Sequence, residues 1–118
     1  MRPGNAYLEF VQERFSTFGE IHSRYLFGGY CLYCDGVVFA LVADSALFLK
    51  ADEENRSLFE TQGLAAFRPF EDQTMVMKYY QAPPEIFEDD EAMRHWVGGA
   101  IEAGRRAAVK RKPKAKRK

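Results

Sequence analysis

The chain has 118 residues, of which 47% are hydrophobic, 14% aromatic and 29% charged, the balance of one soluble globular domain and too little chain for two ordinary ones. No apolar run nears the roughly twenty residues of a membrane helix, Met1-Arg2-Pro3-Gly4-Asn5 lacks the apolar stretch of a secretory signal, and two cysteines suit a reducing cytoplasm better than a disulfide framework. The formal net charge of zero hides a split: nine of the seventeen basic residues lie from Arg105 onward, no acid follows Glu102, and residues 1–104 carry eight basic against seventeen acidic side chains. A folded acidic domain over 1–108 and a basic, disordered tail over 109–118 are therefore expected.

Along the chain, Tyr7, Phe10, Val11, Phe15 and Phe18 recur at helical spacing, with Asn5 to cap the helix and Gly19 to stop it. His22 to Phe27 reads as a strand ending at Gly28-Gly29. Tyr30 to Cys34 and Val37 to Val42 flank Asp35-Gly36, a strong hairpin signal. Asp44-Ser45 is a further turn and Leu47 to Lys50 a fourth strand, so an antiparallel meander is predicted. Asp52 is placed to cap a second helix that ends at Gly63 and buries Leu58, Phe59 and Leu64. Phe67 to Phe70 and Thr74 to Tyr80 read as a second hairpin, and Pro84 opens a short helical turn. The last helix begins at Asp89 or Asp90, carries Met93, Trp96, Val97, Ala100, Ile101 and Gly104 on one stripe, and is expected to stop near Ala108, before Pro113. The sum is α-β4-α-β2-α: a two-layer α+β domain with an antiparallel sheet of about six strands covered by helices.

Cys31-Leu32-Tyr33-Cys34 is a C-x-x-C motif, but it lies on a strand, where an offset of three sends the two side chains to opposite faces; no second pair completes a zinc site, and half-buried structural cysteines are the better reading. His22 and His95 are the only histidines and read as surface or boundary residues, since neither has an evident catalytic partner. Gly28-Gly29 lacks the spacing of a phosphate loop and reads as a turn. Glu88-Asp89-Asp90-Glu91 suits a helix cap better than a metal site. Of Tyr79-Tyr80, one ring is expected to pack inward and the other to stay exposed, because adjacent strand residues face opposite ways. No catalytic constellation, metal or cofactor is indicated. The basic residues Arg105, Arg106, Lys110, Arg111, Lys112, Lys114, Lys116, Arg117 and Lys118 form an array that either solubilises the chain or attracts phosphates without regard to base sequence.

The string Arg24-Tyr25-Leu26-Phe27-Gly28-Gly29-Tyr30, followed by Asp35-Gly36, Phe39 to Asp44, Leu47 to Asp52, Met77-Lys78-Tyr79-Tyr80 leading into Pro84-Glu85, and the helix around Trp96, resembles the N-terminal domain of TfoX/Sxy proteins over about residues 6–108. Cys31 and Leu26 depart from the family's usual Gly and Met, which marks the C-x-x-C as peculiar to this chain. The resemblance implies a two-layer α+β fold and kinship with regulators of natural competence that act in transcription alongside a cyclic-AMP receptor protein. Full-length members carry a second, helical domain; a basic tail follows here. The resemblance offers no catalytic residues. A non-enzymatic regulatory or adaptor domain is expected, cytoplasmic, monomeric or homodimeric, away from membranes, docking a protein partner at an exposed sheet edge or at the Gly28-Gly29-Tyr30 corner. The alternative is a nucleic-acid-associated protein that binds through its tail, and a third option is an enzyme using Cys31, Cys34 or His22.

Overall fold

The computed structural model describes residues 6–26, 29–43, 45–67 and 78–116, with backbone alone at Leu26 and at 110–116. Its elements run α1 (Ala6–Phe15), β1 (Ile21–Leu26), β2 (Gly29–Cys34), β3 (Val37–Ala43), β4 (Ala46–Lys50), α2 (Arg56–Thr61), β5 (Tyr79–Gln81) and α3 (Asp90–Lys116), with 3-10 turns at Ser16–Phe18 and Pro84–Phe87. The strands form one antiparallel sheet in chain order, and the architecture is α+β, as expected.

Local chemistry sets this order. Asp35 and Gly36 both take positive φ, 51° and 87°, the backbone of the tight turn whose twist matches that of the flanking strands. Opposite it, the β2–β3 register slips: Leu32 pairs with Ala40 but Tyr33 pairs with Val38. Phe39 is the extra residue of this bulge. Strict alternation would send it to the other face; the bulge lets Phe39 and Ala40 both enter the main core.

That core lies on the helical side of the sheet. Leu8, Val11 and Phe15 of α1, Phe59 of α2, and Met93, Trp96, Val97, Ala100 and Ile101 of α3 bury themselves against Leu32, Phe39, Leu49 and Tyr80. Phe15 stacks on Phe87 at 5.7 Å, while Phe59 stacks on Tyr80 at 5.2 Å and meets Trp96 at 5.1 Å. A Cβ at Gly104 would run into the Val38 carbonyl oxygen and the Val37 side chain, so this glycine sets how closely α3 approaches β3. A smaller cluster (Cys31, Leu41 and Tyr79, with Tyr33, Val38, Phe48 and Phe67 against it) occupies the opposite face.

Several sequence expectations need correction. The sheet has five strands among the described residues, not six: β5 is three residues long, and Ala66 adds an isolated bridge to Tyr80. Residues 68–77, where the rest of the second hairpin was expected, lie outside the described residues. Regular α2 begins at Arg56, because Asp52–Asn55 forms a turn, and Leu58 is exposed rather than buried. On α1 the buried stripe is Leu8–Val11–Phe15, while Phe10 lies outside it against Phe87 at 4.9 Å. Helix α3 runs to Lys116 instead of stopping near Ala108. Its last turns are rich in Ala, Lys and Arg, which favour helix, and a proline can bend a helix without ending it. Among the described residues no helix is long and apolar enough to cross a membrane.

Candidate functional site

The first candidate surface is the outer edge of the sheet. Strand β1 pairs with β2 from Ile21↔Cys34 to Leu26↔Gly29 and, as the first strand of the order, has no second strand neighbour among the described residues. Tyr25 is 67% exposed there, its ring edge-on to Tyr30 at 5.4 Å. Within the expected corner, Gly29 is buried, and a Cβ on it would lie 2.6 Å from the Val42 carbonyl oxygen. That glycine serves the close passage of two strands. Tyr30 is half-buried, packed against the main core, and Gly28 lies outside the described residues. The ring presented to solvent is Tyr25, and its place on the terminal strand of the sheet is what no local pattern announces.

The two thiols stay apart. Cys34 belongs to the helix-side core and sits 3.5 Å from the Phe18 carbonyl, to which its Sγ donates, whereas Cys31 packs in the cluster on the other face. Burial raises the pKa of both above the ordinary thiol value, with Asp35 adding to the rise at Cys34, and Arg24 and Lys50 offsetting part of it at Cys31. Both are free cysteines. His22 Nε2 lies 3.4 Å from Glu20 Oε2 on the exposed β1 surface, and His95 sits exposed, edge-on to Trp96 at 5.6 Å. Neither forms a constellation with a thiol, and among the described residues no group of three or more His, Cys, Asp or Glu could hold a metal ion. Asp89 caps α3 by accepting the Glu91 N–H at 3.1 Å. Tyr79 and Tyr80 do face opposite ways, but neither stays exposed: Tyr80 enters the main core and Tyr79 is buried in the second cluster. Phe67 packs beside that cluster, against Phe48 at 4.8 Å, and adds to the cover on that face.

The second surface lies where β4, the turn into α2 and α3 meet. Asn55 is the buried polar residue at this junction. Its Oδ1 accepts the Asp52 N–H at 2.7 Å, and its Nδ2 donates to the carbonyls of Lys50 at 3.1 Å and Gly99 at 3.5 Å. Asp52 in turn accepts the Glu54 N–H and takes a two-pronged grip from Arg106, Nε to Oδ2 at 2.6 Å and Nη2 to Oδ1 at 2.9 Å. The Arg106 hydrogen bond is the main reason that the Asp52 carboxyl lies below its ordinary range, and partial burial opposes it. Glu54 stands 3.6 Å from Arg106. Of the nine basic residues expected to reach out as a tail, Arg106 is thus engaged with Asp52 and Arg105 with Glu102 at 2.6 Å, while Lys110, Arg111, Lys112, Lys114 and Lys116 follow on the same helix. Asp52 and Arg106 are separated by more than fifty positions, so no spacing in the sequence announces their meeting.

With this geometry in hand, the chain can be placed among known proteins. It matches the family model described as the TfoX N-terminal domain over residues 13–104. The chain belongs to that family. Protein Sxy of Escherichia coli (strain K12) is 48% identical over 44 residues, which is 37% of this chain and 21% of that protein. DNA transformation protein TfoX1 of Aliivibrio fischeri (strain ATCC 700601 / ES114) is 30% identical over 82 residues, 66% of this chain and 39% of that protein. The chain therefore spans well under half the length of the curated relatives it matches.

Proposed function

We propose that this TfoX N-terminal domain is a non-enzymatic regulatory or adaptor module, linked to DNA transformation as the name of its Aliivibrio fischeri relative suggests, that works through protein contacts at the β1 edge. The observation that carries this reading is an edge strand with no second neighbour among the described residues and with Tyr25 exposed on it. Such an edge offers main-chain donors and acceptors for an added strand, and alternate side chains supply selectivity. The thiols, protonated and on opposite faces, support binding over nucleophilic chemistry. The test is a titration against a cyclic-AMP receptor protein, the partner that the resemblance implies. Exposed Arg24 on β1 is reversed to Glu. Saturable binding that weakens about tenfold in Arg24→Glu supports the reading; absence of binding, or equal affinity in both proteins, overturns it.

A second reading is favoured by the seven basic residues from Lys110 onward, in a stretch with no acid at all. Under it the chain associates with nucleic acid through phosphates alone, and log affinity falls with log salt by about 0.9 per phosphate contacted.

A further inference from the structure

A cleft of about 540 Å³ lies between the end of β4, the turn into α2 and the middle of α3, large enough for a nucleotide-sized ligand. Lys50, Arg56, Lys78 and Arg106 line it, together with Asp52, Glu53 and Glu54. This is not where the charge of the body would lead one to look. Residues 1–104 have eight basic side chains against seventeen acidic ones, and three of the eight converge here from β4, α2 and the residue before β5. Like charges gathered on one cavity repel one another unless anions neutralise them. Of the three carboxylates, Asp52 holds Arg106 at 2.6 Å, Glu54 stands 3.6 Å from it, and Glu53 is exposed.

Arg56 adds an independent observation. Among the described residues its buried Nε has no hydrogen-bond acceptor, a state that costs desolvation and that a small shift of the guanidinium toward an oxygen in the cleft would relieve. Lys78 lines the same cleft, and its backbone is tied to the end of β4, its carbonyl accepting the Ala51 N–H at 2.8 Å. Lys50 holds its Nζ over the Tyr79 ring at 4.9 Å. A guanidinium and an ammonium lining one cavity larger than a lone carboxylate needs suit the tetrahedral oxygens of a phosphate group.

We propose that this cleft binds a phosphate group, with Arg56 and Lys78 as its principal contacts and with Arg106, anchored by Asp52, as its fixed wall. The phosphate belongs either to a nucleotide-sized small molecule or to a nucleic-acid backbone. The site stands apart from the β1 edge, so it and the adaptor reading succeed or fail separately.

The experiment uses the full chain, with backbone amide shifts followed by NMR, and two probes: inorganic pyrophosphate, and a short DNA duplex at several salt concentrations. Saturable shifts at Arg56, Lys78 and Ala103 are expected with at least one probe. Affinity should drop about tenfold in Arg56→Gln/Lys78→Gln and, for pyrophosphate, change less than about twofold in Lys114→Gln/Lys116→Gln/Arg117→Gln. Pyrophosphate binding assigns the site to a small molecule. Duplex binding alone, with a salt slope reduced by about one in the cleft variant, assigns it to a nucleic-acid backbone. If the double variant unfolds, exposed Lys78→Gln alone reads the same effect. Saturation by neither probe, or loss of binding in the tail variant but not in the cleft variant, overturns the proposal.

Discussion

Two regions of this sheet, its β1 edge and the junction at the C-terminal end of β4, are built differently. At the β1 end the strand is held by its ladder to β2 and by a ring contact of Tyr25 with Tyr30, and its surface residues face solvent. At the β4 end, Asn55, Asp52 and Arg106 tie a strand, a turn and a helix together through side-chain hydrogen bonds that cross more than forty positions of sequence. Buried polar networks specify one arrangement, because a half-satisfied network is costly. A ladder edge specifies little beyond its own register. The stitched end is suited to hold charges in fixed places, and the bare end to accept another chain.

The largest spread between two variants should come from the helix that the stitched end depends on. Gly104→Ala would gain about 1 kcal/mol of helix propensity, but the new methyl meets the Val38 carbonyl, which is backbone and cannot swing aside. Overpacking of this kind costs about 1–3 kcal/mol, and at the upper end it wins. The same substitution at Gly98, where a Cβ meets nothing within 4 Å, should stabilise by up to about 1 kcal/mol. Chemical denaturation of the two variants should give opposite signs; a stabilising Gly104→Ala would mean that α3 does not sit against β3 as described.

Next in size is the network itself. Asn55→Ala strands the Asp52 N–H and removes the bond to the Lys50 carbonyl, and should cost about 1–3 kcal/mol by urea denaturation. Asp52 adds a pH signature. Its folded carboxyl titrates below the ordinary value of 3.8, so it contributes stability that is fully present above that value and is lost as pH falls through the lower folded value. Wild type should therefore exceed Asp52→Asn in stability by a constant margin from pH 5 to 8 (about neutral conditions), with the gap closing below about pH 4. A gap that widens on acidification would contradict the ion pair.

Much of the fold was legible before any coordinates, because hairpins announce themselves locally. Asp35-Gly36 had to turn, Gly63 ends its helical segment at φ 74°, and Pro84 opens a helical turn. The alternation that separates Cys31 from Cys34 is equally local. What sequence did not convey is what distant segments decide together. Phe39 enters the core through a bulge that depends on pairing with β2. Tyr79 is buried because Cys31 and Leu41 come from other strands to meet it. The cleft escaped notice for the same reason: Lys50, Arg56, Lys78 and Arg106 look like scattered surface charges until the β4–α3 junction assembles them. Charge counting placed the basic character at the end of the chain, while Arg105 and Arg106 belong to ion pairs of the folded body.

The smallest stability effect belongs to the bare end, where it is also the most telling. Tyr25 is two-thirds exposed, and its one ring contact among the described residues is Tyr30 across the β1–β2 ladder. Cross-strand aromatic pairs contribute about 0.2–1 kcal/mol, so Tyr25→Ser should shift the denaturation midpoint only slightly. A residue kept for folding would show its whole effect there. If Tyr25 is instead kept for contact, the same variant should weaken partner binding about tenfold or more, because exposed aromatic rings buried on association carry a disproportionate share of interface energy. Tyr25→Phe separates the two contributions of the ring: it retains the edge-on contact with Tyr30 and loses only the hydroxyl, so stability should return to the wild-type value. Recovered stability with affinity still reduced would place the contact at the hydroxyl, and recovery of both would place it on the ring face. A Tyr25→Ser variant that loses stability well beyond about 1 kcal/mol while binding unchanged would make β1 an ordinary structural strand and remove the contrast between the two ends.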